Sequence, residues 1–327
     1  MPSCGKKTEE TAAKKVVVGF SQIGSESDWS TANTLSVKGE AAKRGIDLRF
    51  ADGQQKQENQ IRALRSFIDQ KVDAIAISPV VDTGWQAVLE EVKAAGIPVI
   101  LSGREVKVTD PSLYVTFVGS DFVEEGRNAA RWFIEHTQGD LKVFELEGTP
   151  GASCAIDRSK GFRETIVDHP RIKIIKSQDG DFTSAKGKAV IEAFLKTPAG
   201  KEFNALYAHN DNMALGAIQA IKAAGRKPGA DIKIVSIDAV RGAFEAMIAG
   251  ELNCTIECNP LLGPKLFDVV EAVLAVKKLN ALATKHNLLR PGALEALGGE
   301  AFKKRLSVKE GVFDQSVAKE LIGGRKY

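Results

Sequence analysis

The stretch from Val16 to Trp29 has the sequence VVVGFSQIGSESDW: an apolar strand, a loop with glycines at 19 and 24, and the start of a helix. The glycines have the spacing of a phosphate-binding loop, but Ser25 and Glu26 stand where such a loop carries its lysine and hydroxyl residue. A carboxylate there would repel a phosphate group. The stretch therefore predicts a strand end of an α/β fold that holds a ligand other than a nucleotide phosphate.

The same strand-then-helix pattern recurs along the chain. The short apolar runs are KVVVGF, VDAIAIS, IPVILS, LKVFEL, IKIIKS, FNALYA, IKIVSI and LNCTIE. Amphipathic segments lie between them: Ile61, Leu64 and Ile68 recur at helical spacing in one, and Gly96 and Pro98 end the next. The apolar stripe of that second helix is formed by Trp85, Val88, Leu89 and Val92.

Strands that are apolar on both faces and alternate with helices are typical of a parallel sheet that helices cover on both sides. The runs are too numerous for one comfortable sheet, and 327 residues provide for two domains. The sequence therefore predicts two doubly wound α/β lobes.

Composition excludes several classes of function. Hydrophobic residues make up 43% of the chain and charged residues 27%, as in globular proteins. The net charge of +3 is spread along the chain, whereas a nucleic-acid-binding protein concentrates basic residues. No apolar run approaches the length of a membrane span.

The cysteines predict neither a disulfide framework nor a metal site. Cys254 and Cys258 lie four apart in a strand-like run, about 13 Å from each other and beyond disulfide reach. The four histidines are scattered, so a zinc site lacks its close ligand spacing. Cys154, Cys254 and Cys258 are expected to be small buried residues.

Cys4 lies in a different environment. Residues 1–15, MPSCGKKTEETAAKK, are polar and without periodicity, and this pattern predicts a flexible leader. A small residue before a cysteine in such a segment is typical of a bacterial lipoprotein signal, which makes Cys4 a candidate lipidation site. The alternative is an incidental cysteine in a disordered tail.

Ligands of doubly wound sheets bind beyond the carboxyl ends of the strands. The candidate ligand-binding residues at these ends are Glu26, Asp28, Trp29, Ser78, Arg104, Arg158, Asp181, Phe182, Asn210, Asp238 and Glu257. Amides, carboxylates and guanidinium groups can engage two neighbouring hydroxyls, and an aromatic ring can cover the C–H face of a sugar. The set predicts a neutral polyhydroxylated ligand.

Each residue also has a structural interpretation that the sequence leaves open. Trp29 and Phe182 could be core residues, and the two arginines could be surface charges. Asp238 could be a turn residue. Asp28 and Asp211 could cap helices, and for Asp28 the cap is the favoured interpretation.

Catalytic and metal motifs are missing. The chain has no G-x-G-x-x-G after a strand, no G-x-S-x-G elbow and no H-E-x-x-H helix. DGDFTSAKG begins like a calcium loop at Asp179, but Ser184 and Val190 replace the required glycine and glutamate. We therefore expect no enzyme activity, no cofactor and no bound metal.

Several long stretches together resemble one family. They are GFSQIGSESDW, ADGQQKQENQI, AISPVVDTGW, GASCAIDRSKGF, GDFTSAKGK, AHNDNMALGAIQAIK and SIDAV, in this order between Val16 and Asn280. In them the chain is similar to the periplasmic sugar-binding proteins of ABC importers, in particular the ribose- and galactofuranose-binding members of the type I periplasmic binding proteins.

The resemblance implies two Rossmann-like lobes joined by three hinge segments, which would cross near Gly119, Glu257 and Lys309. LSVKEGVF near the end matches the last crossing strand of the family. The N-terminal lobe would contain residues 16–119 and 258–308, and the C-terminal lobe residues 120–257 and 309–327.

The resemblance also implies roles for individual residues. Trp29 and Phe182 match the aromatic residues that sandwich the sugar ring, and Ser78 stands where ribose-binding protein has an asparagine. The hydrogen-bonding set would be Arg104, Arg158, Asn210, Asp238 and Glu257. Two features depart from the family: Gly103 replaces a frequent ligand-binding aspartate, and the segment from Leu282 to Arg305 is longer than expected.

The function that this implies is capture of a monosaccharide and its delivery to an ABC transporter permease. The protein is expected to be a monomer in the periplasm or on the extracellular face of the membrane, attached only through a lipid at Cys4. A receptor of the same fold for an autoinducer or an amino acid is the alternative. A sugar-responsive repressor would need a helix-turn-helix headpiece, and only a short polar leader precedes Val16.

Overall fold

The computed structural model describes residues 15–285, 303–308 and 310–327. Within them the chain forms two six-stranded sheets, each the centre of one lobe. All strand pairs but one in the described chain are parallel. The predicted fold class of two doubly wound, largely parallel α/β lobes is confirmed.

The first lobe is built around the strand that begins at Val17. Its strands are β1 (Val17–Gln22), β2 (Asp47–Asp52), β3 (Ala74–Ile77), β4 (Val99–Ser102), β5 (Thr116–Gly119) and β11 (Arg305–Ser307), in the sheet order β11-β5-β4-β3-β1-β2. Helices α1 (Asp28–Lys43) and α10 (Gly263–Lys285) cover one face, and α2 (Gln57–Asp69) and α3 (Gln86–Ala94) cover the other. The central strands are buried on both faces, which explains their continuous apolar sequences.

The second lobe repeats this arrangement. Its strands are β6 (Leu141–Glu147), β7 (Ile172–Asp179), β8 (Ala205–Ala208), β9 (Lys233–Asp238), β10 (Cys254–Glu257) and β12 (Val312–Asp314), in the sheet order β12-β10-β9-β8-β6-β7. Its helices are α4 (Phe122–His136), α5 (Ser153–Ile166), α6 (Ser184–Leu195), α7 (Pro198–Glu202), α8 (Asp211–Ala223), α9 (Arg241–Ile248) and α11 (Ala318–Leu321). Helix α4 packs on α5 and α6 packs on α8, while β12 is antiparallel to β10.

Three segments of the described chain connect the two sheets. The first lies between β5 and α4, the second between β10 and α10, and the third between β11 and β12. We call them the first, second and third crossing segments. The first lobe contains β1 to β5 and the second contains β6 to β10. Residues that follow the carboxyl ends of strands in both sheets line one cleft between the lobes.

The predicted stripe of α3 is confirmed, since Trp85, Val88, Leu89 and Val92 are all buried. Gly96 follows this helix with a φ of +68°, as a helix-ending glycine does. Cys154, Cys254 and Cys258 are buried and free, as expected.

The predicted stripe of α2 faces the core, since Leu64 is buried and Ile61 and Ile68 pack against the core in partly buried positions. The helix also buries Gln60 and Phe67, and the Gln60 amide bonds the Gln22 and Ser78 carbonyls and the Val80 N–H. LSVKEGVF contributes two short strands, β11 and β12, one to each sheet. The favoured cap of α1 was wrong: the cap is Ser27, which forms a capping box with Ser30, while Asp28 is the first helical residue.

Some predictions lie outside the described residues. They concern Cys4, nearly all of the leader, the crossing at Lys309 and most of the segment from Leu282 to Arg305. In the part of the chain that is described, no helix combines the length and apolar character needed to span a membrane.

Candidate functional site: a cavity between the lobes

A narrow cavity lies between the lobes, where the carboxyl ends of the strands converge. The lining residues are Glu26, Ser27, Trp29, Gly103, Arg104, Phe122, Cys154, Arg158, Phe182, Asn210, Asp238 and Cys258. The cavity therefore brings together Glu26, Trp29, Arg104, Arg158, Phe182, Asn210 and Asp238 of the predicted set.

Two aromatic side chains, one from each lobe, form part of the wall. Trp29 is buried in the first turn of α1, and its indole N–H donates to the Cys258 carbonyl at 2.8 Å. Phe182 is buried in the loop after β7, and the Arg104 guanidinium lies 5.1 Å from its ring centre. Both rings are therefore held by neighbouring groups before any ligand enters.

Arg158 is the main cation of the second lobe. Its Nε donates to Glu125 Oε2 at 2.7 Å and its Nη1 to the His209 carbonyl at 2.6 Å. Its Nη2 lies 3.7 Å from Asp238 Oδ1, which is longer than a hydrogen bond. Arg158 therefore presents one side of its guanidinium to the cavity while Glu125 fixes the other.

A close contact between α4 and α5 makes the pair of Arg158 and Glu125 possible. A Cβ added at Gly126 would lie 2.2 Å from the Arg158 carbonyl oxygen, and one at Gly161 would lie 2.0 Å from that of Val123. Glycines at the helix contact therefore set the distance at which the two buried charges meet.

Arg104 and Glu26 form the corresponding pair of the first lobe. Arg104 Nη1 donates to the Val80 carbonyl at 3.0 Å, and its Nη2 lies 3.7 Å from Glu26 Oε1. Glu26 Oε2 is buried and has no hydrogen-bond partner within the described chain. Buried carboxylate oxygens are rarely left unpaired, so this atom can accept a hydrogen bond from a ligand.

Asn210 and Asp238 complete the polar wall. Asn210 caps α8 through its Oδ1, and its Nδ2 donates to the Phe182 carbonyl at 3.0 Å. Burial raises the pKa of Asp238 well above its ordinary value, and the Arg158 guanidinium acts against that rise. Phe182 and Asp238 both have positive φ values, 60° and 123°. Non-glycine residues in this region store strain and cluster at ligand sites.

The other predicted residues do not line the cavity. Asp28 is at the rim, where its backbone N–H and carboxylate bond the Asn212 amide of the other lobe. Asp181 pairs with Lys186 at 2.6 Å, and Glu257 pairs with Arg325 at 2.6 Å. Ser78 is buried behind Gly103, and its Oγ has no partner among the described residues.

The rims of the two lobes are in contact. Besides Asp28 and Asn212, the Asp82 N–H donates to the Gly151 carbonyl at 2.8 Å, and the Glu105 N–H donates to Ser153 Oγ at 3.0 Å. The structure is therefore the closed form of the cleft.

Several lining residues were not predicted. Phe122 begins α4 directly after the first crossing segment, Cys258 lies in the second crossing segment, and Cys154 is in the first turn of the helix that carries Arg158. Position at a strand end could have indicated Cys258, which follows Glu257 directly. Glu125 has no such signal, because its partner Arg158 lies 33 residues later and only packing brings the two together.

Comparison with known proteins gives consistent matches. A family model described as periplasmic binding protein domain matches residues 18–278. The galactofuranose-binding protein YtfQ of Escherichia coli is 54% identical over 261 residues, which are 79% of this chain and 82% of that protein.

Two solved structures have nearly the same fold. The binding protein of the arabinose ABC transporter from Shewanella sp. ANA-3, bound to α- and β-L-arabinofuranose, is 48% identical with a TM-score of 0.85, over 95% of this chain and 96% of that one. A Mycobacterium smegmatis protein in complex with β-D-fucofuranose is 46% identical with a TM-score of 0.84, over 95% of each chain.

Proposed function

Because the chain belongs to the periplasmic binding protein family, we propose that it is a receptor that captures a monosaccharide in its furanose form between the two lobes. Like the proteins it resembles, it is a binding protein and not an enzyme. The three relatives are described as binding galactofuranose, arabinofuranose and fucofuranose, which are all five-membered rings.

One observation carries the proposal: each lobe presents a guanidinium and a carboxyl group that are too far apart to bond directly. The Nη2 atoms of Arg104 and Arg158 lie 3.7 Å from Glu26 and Asp238, respectively. A hydroxyl oxygen that enters beside such a pair can accept a hydrogen bond from the guanidinium and donate one to the carboxylate. A polyhydroxylated ring supplies hydroxyls to both lobes at once.

The charges favour a neutral ligand. Glu125 already neutralises Arg158 at 2.7 Å, and Glu26 lies beside Arg104. An anionic ligand would displace these carboxylates or be repelled by them. An amino acid would also need a fixed anionic partner for its ammonium group, so the same-fold receptor for an amino acid or an autoinducer is less well supported.

The aromatic rings have a direct role in this proposal. Trp29 and Phe182 line the cavity from opposite lobes and are both buried, so they can cover the two C–H faces of the sugar. Asn210, held by the Phe182 carbonyl, adds an amide for a further hydroxyl. In this assignment Asp28, Asp181 and Glu257 act outside direct contact with the sugar.

The proposal extends to partners and location. Receptors of this family deliver their ligand to an ABC transporter permease, and we assign this role to the chain, acting as a monomer on the outer side of the bacterial membrane. A lipid at Cys4 would attach it there. Accumulation of a larger, uncleaved precursor under globomycin, or a lipid mass on Cys4 in mass spectrometry of the mature N-terminus, would support the anchor, and an unmodified Cys4 would refute it.

The sugar ring form can be tested with two matched ligands. 5-Deoxy-D-galactose closes to a furanose but not to a pyranose, and 4-deoxy-D-galactose closes to a pyranose but not to a furanose; each lacks one hydroxyl. Isothermal titration should give clear binding of the 5-deoxy sugar and weak or no binding of the 4-deoxy sugar. L-Arabinose, D-galactose and D-ribose complete the panel.

The opposite order of affinity would refute the furanose preference. No binding across the whole panel, together with binding of an amino acid, would refute sugar capture itself. A Glu320→Gln variant, which changes an exposed carboxylate of α11, serves as a control and should bind like the wild type.

A further inference from the structure

All three crossing segments meet at one carboxyl group. Glu310 lies on the third segment, and its Oε1 accepts hydrogen bonds from Ser120 Oγ of the first and, at 3.2 Å, from the Asn259 N–H of the second. Bending between the lobes has to occur in these segments, since they are the only connections between the sheets in the described chain. Glu310 is therefore bonded to each part of the hinge.

A second carboxyl group lies beside the first. One carboxylate oxygen of Glu125, one of Glu310 and the Cys258 sulfur all lie within 4.8 Å of one another. Glu125 is buried, and while its Oε2 accepts from Arg158, its Oε1 has no hydrogen-bond partner in the described chain. The cluster that contains Glu310 therefore includes a buried carboxylate with one unpaired oxygen.

The charges of the cluster require a proton. Arg158 compensates one negative charge, and a second carboxylate beside the buried Glu125 is disfavoured in its ionised form, so Glu310 is the group that takes up a proton. Burial, and after it the Glu125 carboxylate, raises the pKa of Glu310 to about 9, while the hydrogen bonds from Ser120 and Asn259 act in the opposite direction.

The remaining titratable groups around Glu310 do not take over this role. Burial raises the pKa of the Cys258 thiol well above its ordinary value, so the thiol stays neutral near pH 7. The groups that face the cluster are Glu125 from α4, Arg158 from α5, Cys258 from the second crossing segment and, beyond Arg158, Asp238 from the end of β9.

We propose that Glu310 is a positioning residue for the sugar site, which in its protonated form joins the three crossing segments and leaves the neighbouring Glu125–Arg158 pair in its sugar-binding arrangement. The inference rests on the proposed function. Loss of the proton places a second negative charge beside Glu125. This charge repels the Glu125 carboxylate and competes for Arg158, so the closed, sugar-binding form is weakened.

The sign of the pH dependence follows from linkage. A carboxyl group exposed to water has a pKa of about 4.3, whereas in the closed form that of Glu310 is about 9. Because the closed form holds the proton more tightly than a form in which the segments have separated, sugar affinity falls as the pH rises toward 9 and levels off above it. The slope is at most roughly tenfold for each pH unit.

The test is the pH profile of sugar affinity in wild type and Glu310→Gln. Glutamine has the shape of the protonated acid and cannot lose a proton. Between pH 7 and pH 9.5 we expect the wild-type affinity for the best sugar of the panel to fall by at least about tenfold. The affinity of Glu310→Gln should remain within about threefold of its own value at pH 7. Glu320→Gln, which removes an exposed carboxylate, should keep the wild-type profile.

A second variant tests the same proton without removing Glu310. The Ser120 hydroxyl favours the ionised form of Glu310 by donating to it, so Ser120→Ala should move the loss of affinity to higher pH. An unmoved midpoint, or a Glu310→Gln profile that falls like the wild type, overturns the proposal. Affinity at pH 7 that responds to a chelator would instead identify Glu125, Cys258 and Glu310 as a metal site.

Thermal unfolding without ligand separates this inference from the proposed function. Glu310 has a raised pKa in the folded state, so its contribution to stability is complete below about pH 4.3 and is lost as the pH rises through about 9. The wild type should therefore lose stability relative to Glu310→Gln over this range, even if no sugar of the panel binds. If the difference in melting temperature between the wild type and Glu310→Gln stays constant across this pH range, Glu310 does not hold the proposed proton.

Discussion

Gly103 provides the sharpest test of the cavity. It has a φ of +70°, and a Cβ added there would lie 2.7 Å from Cη2 of Trp29. Gly103→Ala should therefore have two effects: strain of about 1–2 kcal/mol from a side chain in the left-handed region, and displacement of the Trp29 ring from the cavity wall.

Gly96→Ala is the matched control. Gly96 lies in the same lobe with a φ of +68°, but no atom lies within 4 Å of the position of its Cβ. Both variants should lose about 1–2 kcal/mol of stability in urea unfolding through the strained backbone, and Gly103→Ala should lose more, because its Cβ also clashes with Trp29. Only Gly103→Ala should lose sugar affinity, by about 1–3 kcal/mol for an overpacked site, or roughly 5- to 150-fold in Kd.

Isothermal titration of both variants with the same sugar tests whether only Gly103→Ala loses affinity. If Gly103→Ala binds as tightly as Gly96→Ala, then Trp29 does not shape the sugar site. An aspartate at position 103 would meet the same Trp29 atom and would have to desolvate its carboxylate as well. We therefore interpret Gly103 and Trp29 as a pair, in which the glycine leaves room for the indole.

Three further predictions concern charge, the cleft rim and closure. Arg158→Ala should abolish most sugar affinity and also lower stability by about 3–5 kcal/mol, because Glu125 is left as a buried, uncompensated charge; unchanged urea unfolding would contradict the buried pair. Asp28→Asn should change Kd by less than about threefold, because Asp28 bonds Asn212 at the exposed rim; a loss of tenfold or more in calorimetry would place Asp28 in contact with the sugar. Small-angle scattering should give a smaller radius of gyration with sugar than without it, and identical profiles at saturation would contradict closure.

The sequence was sufficient for the architecture because the central strands carry their own signal. The runs at Ala74–Ile77 and Val99–Ser102 are apolar throughout, since helices cover both faces of the sheet. The strand at Asp47–Asp52 was missed, because it lies at the edge of its sheet and is only partly buried. The two three-residue strands at 305–307 and 312–314 are too short for a periodic pattern.

The site was predictable where a residue lies within two positions of the end of its strand. Arg104 and Asn210 are the second residues after β4 and β8, and both line the cavity. Glu257 also ends a strand, but its carboxylate turns to Arg325, which is far away in sequence. Glu125 and Glu310 were not identified at all, because their environment is formed by contacts between segments that are distant along the chain.

Closure of the cleft depends on groups inside the cavity rather than on its rims. The rim contacts, such as Asp28 with Asn212 and Asp82 with Gly151, are hydrogen bonds close to solvent, and each contributes about 0.5–1.5 kcal/mol at most. Ordering two lobes against each other costs a comparable amount, so these contacts alone leave the two forms close in free energy. Inside, closing without a ligand buries Glu26 Oε2 without a partner and leaves both guanidinium–carboxyl pairs at 3.7 Å. In the proposed binding mode, a sugar removes these costs in the closed form only, because its hydroxyls have to reach both lobes at once. The ligand therefore shifts the equilibrium by its differential affinity for the closed form.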